Sequence, residues 1–232
     1  MLIAEEYLLL ALDEKSGKPR VGSDVLGPAL GGALVTELAL RERVGVTPHE
    51  AGWNKRGRVT IINTTPTDDP ELDAALAKLV ENEGRKVKDL LSEYSTKKRR
   101  LSHGVRERLL DRLAASGALV RTEDTVLGFI PRTTWPAGDS RREDDVRRRL
   151  QAALVDGTTP TERTVALIAL LQVTGLLTKV VTTENKRALK AKAKELTDGD
   201  WAAKAVKDAI QEAAAATMSA IGAASAATAG SS

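Results

Sequence analysis

The chain has no cysteine, which removes disulfides, thiolate metal sites and cysteine nucleophiles together and suits a reducing cytosol. Histidine is almost as scarce. His49 sits in a polar stretch and His103 opens an arginine-rich segment, and neither has a cysteine or a second imidazole near it in sequence. The short patterns that mark common chemistries are missing too: G-x-S-x-G, G-x-x-x-x-G-K-[ST], H-E-x-x-H and G-x-G-x-x-G. "GPALGGA" at 27–33 is glycine-rich but lacks the lysine of a phosphate loop, so its glycines read as sites of close helix packing. Nothing in the sequence supports an enzyme, a cofactor or a metal ion.

Long uninterrupted apolar runs are also lacking. In "TVALIALLQVTGLLTKVV", 164–181, the residues Gln172, Thr174, Gly175 and Lys179 break the run into a core helix, a turn and a second short helix. At the start, two glutamates precede "YLLLAL" with no basic residue before them and no small-residue cleavage site after, which argues against a signal peptide. Any membrane contact is therefore expected to be peripheral. Charge is close to balanced, 35 Lys and Arg against 32 Asp and Glu. A basic function must come from local clustering rather than from the bulk.

What is present is helical. "IAEEYLLLALDE" and "DVLGPALGGALVTELALRER" read as two core helices, the second with an apolar face at Leu34, Val35, Leu38 and Ala39. The β-branched "RVTIINTT", 58–65, reads as a strand, and "TDDPELDAALAKLVEN" as a helix whose aspartates cap its start, with Pro70 in the first turn. Helices follow over about 85–94 and 102–116, then a hairpin from "ALVRT" and "TVLGFI" turning at Glu123–Asp124, then helices over about 142–155, 160–173 and 183–196. The expectation is a mainly α fold: a single globular helical domain over 1–220 with a short strand and a protruding β-hairpin, ending in a disordered small-residue tail over 221–232.

The strongest cluster of charge is "KKRRLSHGVRERLLDRLAASGALV", 97–120. On a helical wheel Val105, Leu109, Leu110 and Leu113 fall on one side, with Arg108 and Arg112 at the rim and Arg106 between Leu109 and Leu110. A guanidinium there needs a carboxylate, a group of carbonyls or an anionic ligand, because an unpaired buried charge costs several kcal/mol. Two readings stay open: Arg106 pairs with a core carboxylate, for which Glu37 is the candidate, or it lines an anion pocket.

Four blocks in the same order and spacing resemble the Golgi phosphoprotein 3 family: "AEEYLLLALDEKSG", "ALGGALVTELALRERV", "PTDDPELDAAL" and "VRERLLDRLAASGALV" with the hairpin after it. "GDWAAKAVKDAI" resembles the bacterial branch of that family. The resemblance implies a helical fold without catalysis that binds phosphatidylinositol 4-phosphate at a membrane face. The family's headgroup positions fall here on Gly22, Gly31, His103 and Arg106, of which only Arg106 keeps the residue type. Lys97, Arg100 and His103 offer another route to a positive pocket. In the hairpin, Leu127, Phe129, Ile130 and Trp135 are amphipathic material for shallow membrane insertion or for contact with a second copy. The expected protein is a cytoplasmic, peripheral lipid-binding adaptor with an anionic phospholipid and protein clients as partners. The rivals are a winged-helix DNA-binding module using 85–131 and an adaptor that binds proteins alone.

Overall fold

A computed structural model of the chain describes residues 1–48, 55–95, 99–126, 130–199 and 204–229. At its centre lies α2 (Ser23–Leu40), buried on every side from Leu26 to Ala39. An apolar sequence all round a helix requires this placement, since no face of it prefers water. Around α2 pack α1 (Ile3–Ala11), α3 (Pro70–Val80), α4 (Val87–Ser95), α5 (Arg99–Ala115), α7 (Glu162–Val173) and α10 (Lys204–Ala229). The outer shell holds α6 (Arg141–Leu154), α8 (Leu177–Val180) and α9 (Lys186–Asp198). The fold is mainly α, as expected. Among the described residues no helix is long and apolar enough to cross a membrane.

Two small antiparallel sheets complete it. β1 (Val44–Val46) pairs with β2 (Val59–Ile61), and β3 (Thr122–Val126) pairs with β4 (Ile130–Thr134). The short "VGV" of β1 has no sequence signature of its own and was not expected. The second hairpin lies further along the chain than its sequence suggests. Glu123 and Asp124 are inside β3, opposite Thr133 and Arg132, rather than at the turn. The reason is that Ala118 and Leu119 are buried at the hairpin's base, where Leu119 bridges Ala137 and the Val120 amide donates to the Pro136 carbonyl at 2.9 Å. That pairing moves the whole register outward.

At the start of α3 the aspartates do what capping demands: Asp69 accepts hydrogen bonds from the Glu71 and Leu72 amides. The last helix, α10, continues to Ala229, through most of the segment expected as a disordered tail. Alanine has the highest helix propensity of all residues, and this stretch is rich in it.

α2 and α10 approach closely because both present small residues, Gly32 on one side and Ala213, Ala216 and Thr217 on the other. A Cβ on Gly32 would stand 2.2 Å from the Thr217 hydroxyl oxygen. Helix propensity alone would make Gly32→Ala stabilising by about 1 kcal/mol. The contact should reverse that sign, to a loss of about 1–2 kcal/mol in denaturant unfolding. In a Thr217→Ala background the obstructing oxygen is gone, and the same substitution should become neutral or stabilising.

Candidate functional site

α5 carries the charge cluster, and its apolar side is the one the helical wheel places: Val105, Leu109, Leu110 and Leu113 are all buried. Its arginines divide into two kinds. Arg112 grips Asp69 with two hydrogen bonds, 3.0 and 2.9 Å, and reaches Glu5 at 3.1 Å. Arg108 forms a two-pronged pair with Glu71, its terminal nitrogen 2.9 Å from Oε2. Hydrogen bonding to Asp69 raises the Arg112 pKa further above its ordinary value, with burial opposing. Both lie at the rim, Arg108 exposed and Arg112 half-buried, but each is paired with a carboxylate. They clamp α5 to the start of α3 and to α1.

Arg106 is of the other kind. Glu37, its expected partner, is taken: both its oxygens accept from Arg163 Nη1 at 3.0 Å, Oε1 also accepts from Arg41 at 3.2 Å, and Oε2 from the Ile3 amide at 2.8 Å. Arg106 is half-buried, and its buried Nε has no hydrogen-bond partner among the described residues. Burial lowers its pKa from the ordinary arginine value, and the adjacent Glu107 carboxylate acts in the opposite sense. An arginine stays charged under such a shift, so a cation with an unpartnered Nε remains.

That cation lines a cleft of about 400 Å³ between α5 and the base of the β3–β4 hairpin. Glu107, Leu110 and Asp111 continue the α5 wall, and Arg121, Thr133 and Trp135 form the opposite one. Trp135 is only 6% exposed, and the Arg121 guanidinium sits over its ring, 5.7 Å from the centroid. Trp135 therefore packs the floor of the hairpin and is not part of an inserting surface. Arg121 also reaches Glu123 at 3.1 Å and Asp111 at 3.7 Å.

The remaining sequence candidates scatter. Gly22 is exposed and caps α2, while Gly31 is buried in α2 beside Leu34, Leu79 and Leu90 around a void of about 20 Å³. Neither is among the described residues lining the Arg106 cleft. Arg100 and His103 lie on α5 and Ile130 on β4, but the side chains of these three are not described; Lys97, Leu127 and Phe129 lie outside the described residues. Sequence reasoning missed Glu107, Asp111, Arg121 and Thr133. Only the first two left a trace, as acids four apart on a helix already known to carry a buried arginine.

Residues 3–213 match the sequence model of Golgi phosphoprotein 3 (GPP34). Vacuolar protein sorting-associated protein 74 of Eremothecium gossypii is 28% identical over 164 residues, which is 67% of this chain and 49% of that protein. The chain thus matches about half the length of that relative.

Proposed function

Since the chain belongs to the Golgi phosphoprotein 3 (GPP34) family, we propose that it is a peripheral, non-enzymatic adaptor that docks on a membrane by holding an anionic phospholipid headgroup in the Arg106 cleft. One observation carries this reading: a half-buried guanidinium with an unsatisfied Nε opens into a cleft large enough for a headgroup. A phosphate oxygen supplies the charge-assisted hydrogen bond that no described side chain provides. The β3–β4 hairpin, which supplies the second wall of the cleft, would meet the same bilayer or a second copy of the chain. Attachment at a cytoplasmic membrane face, with protein clients bound elsewhere, completes the adaptor. Phosphatidylinositol 4-phosphate, which the family resemblance implies, is the reference headgroup.

DNA binding is less well supported. A recognition helix would need Arg108 and Arg112 for phosphates, and both are committed to carboxylates.

The test is flotation with neutral liposomes and with liposomes carrying phosphatidylinositol 4-phosphate, phosphatidylinositol or another anionic lipid. The wild type is expected to float with anionic liposomes only, and Arg106→Ala to bind them at least tenfold more weakly, about 1.4 kcal/mol. Because the carboxylate left behind, that of Glu107, is exposed to water, the variant should lose less than about 1 kcal/mol of folding stability. Equal flotation of variant and wild type would rule out the cleft as the headgroup site.

A further inference from the structure

Resting on the reading of the Arg106 cleft as a headgroup site, we propose that Arg121 is a second ligand for headgroup phosphate, presented by the hairpin, and that Asp111 and Glu123 are the counter-ions the phosphate displaces. The register of the hairpin puts Arg121 there. Leu119 bridges Ala137, the Val120 amide donates to the Pro136 carbonyl, and Thr122 pairs with Thr134. Arg121 therefore stands directly opposite Trp135, and residues so placed have Cβ atoms about 4.5–5.5 Å apart on one face of the ribbon. Because side chains alternate along a strand, Glu123 and its partner Thr133 fall on that same face. Arg121, Thr133 and Trp135 line the cleft, so this is the face turned to α5. The only other basic residue from 121 to 135, Arg132, stands opposite Asp124 on the other face.

The guanidinium is positioned without being used up. Its backbone is fixed on both sides by those pairings, and its Cζ rests 5.7 Å from the centroid of the nearly buried Trp135 ring. Contact with a ring face leaves the N–H donors of the fork for other partners. The two carboxylates are weak competitors for them. Asp111, at 3.7 Å, is too far for a hydrogen bond, and Glu123 at 3.1 Å makes a single-pronged contact. Both acids are more than half exposed, and ion pairs so open to water contribute little. A phosphate in the cleft can instead take the fork with two charge-assisted hydrogen bonds. With Arg106 on α5 and Arg121 on the hairpin, the headgroup is gripped from both walls, and its binding ties the hairpin to α5.

The experiment pairs flotation on phosphatidylcholine vesicles doped with phosphatidylinositol 4-phosphate with titration of soluble inositol 1,4-bisphosphate. Arg121→Ala is expected to weaken both at least tenfold. Arg121→Lys should weaken both at least fivefold, because an ammonium keeps the charge but has neither the fork nor the planar stack. Arg121 is 53% exposed, so both variants should melt as the wild type does, and the lysine variant carries the test if the alanine one does not fold. Full binding by Arg121→Lys would mean that only charge near the bilayer matters and would overturn the proposal, as would weaker flotation with unchanged binding of the soluble headgroup. The double variant Asp111→Asn, Glu123→Gln should bind at least threefold more tightly than the wild type, and the gain should vanish in the Arg121→Ala background. An equal gain in both backgrounds would show that the acids only repel and are not displaced from Arg121. Loss of binding in Arg106→Ala with none in Arg121→Ala would overturn this inference and leave the cleft reading standing, whereas a wild type that binds neither vesicle nor soluble headgroup overturns both.

Discussion

Glu37→Ala is expected to cost the fold about 3–5 kcal/mol, the range for removing one member of a buried ion-pair network. Glu37 is 2% exposed, in the last turn of the central helix. Its two oxygens hold Arg163, Arg41 and the Ile3 amide, and Arg163 in turn reaches Glu6 at 3.2 Å and the Met1 carbonyl. Burial opposes the charge on Arg163, but Glu6 and Glu37 outweigh it and leave its pKa raised. Alanine would leave that guanidinium with Glu6 and the Met1 carbonyl alone and would unpin the start of α1 from α2 at the same time. For a chain of this size each kcal/mol moves the melting temperature by about 2–4 °C, so the drop should be on the order of 10 °C. Glu37→Leu combined with Arg163→Met should recover at least half of the loss, because the under-compensated charge is then absent. A loss below about 1 kcal/mol in the single variant would mean that water satisfies Arg163 and that the network is a surface feature.

This network also shows where sequence reading stops. The wheel for α5 sorted Val105, Leu109, Leu110 and Leu113 correctly, since a single helix obeys its own period and the burial of one face follows from it. The same local logic marked Arg106 as a cation in need of a partner. It could not say which carboxylate is near, because pairing across 126 residues, as between Glu37 and Arg163, is set by helix packing. Glu37 was the natural candidate for Arg106 and turned out to serve a different arginine. The hairpin failed in a related way. "ALVRT" does pair, but at the base, with the chain after β4, so the strands themselves lie further out. A two-residue turn signal carries little weight when buried residues on both sides fix the register. The cleft was legible only through Arg106, since its other wall comes from the hairpin and its acids look on paper like an ordinary solvated helix face.

The hairpin's base has its own critical contact, and Gly17→Ala is expected to cost about 3–5 kcal/mol there. Gly17 has φ of +61°, which an alanine adopts only at a cost of about 1 kcal/mol. The larger part of the effect is steric. A Cβ at this position would lie 2.2 Å from the Trp135 carbonyl carbon and 2.3 Å from the Trp135 and Pro136 nitrogens. These are backbone atoms, so no side chain can turn aside, and the turn must part from the hairpin. Parting them breaks the bonds from the Trp135 amide to the Gly17 carbonyl and from the Ala137 amide to the Glu14 carbonyl. Gly175 supplies the control: its φ is +70°, yet an added Cβ there meets nothing within 4 Å. Gly175→Ala should therefore cost only the backbone strain, about 1 kcal/mol, and the difference between the two variants isolates the contact with the hairpin. Because Trp135 and Thr133 line the Arg106 cleft, the part of the Gly17→Ala protein that remains folded should also float less on anionic vesicles, while Gly175→Ala protein floats as the wild type does. Equal melting temperatures for the two variants would mean that the 13–19 turn does not hold the hairpin in place, and the cleft's second wall would then need another support.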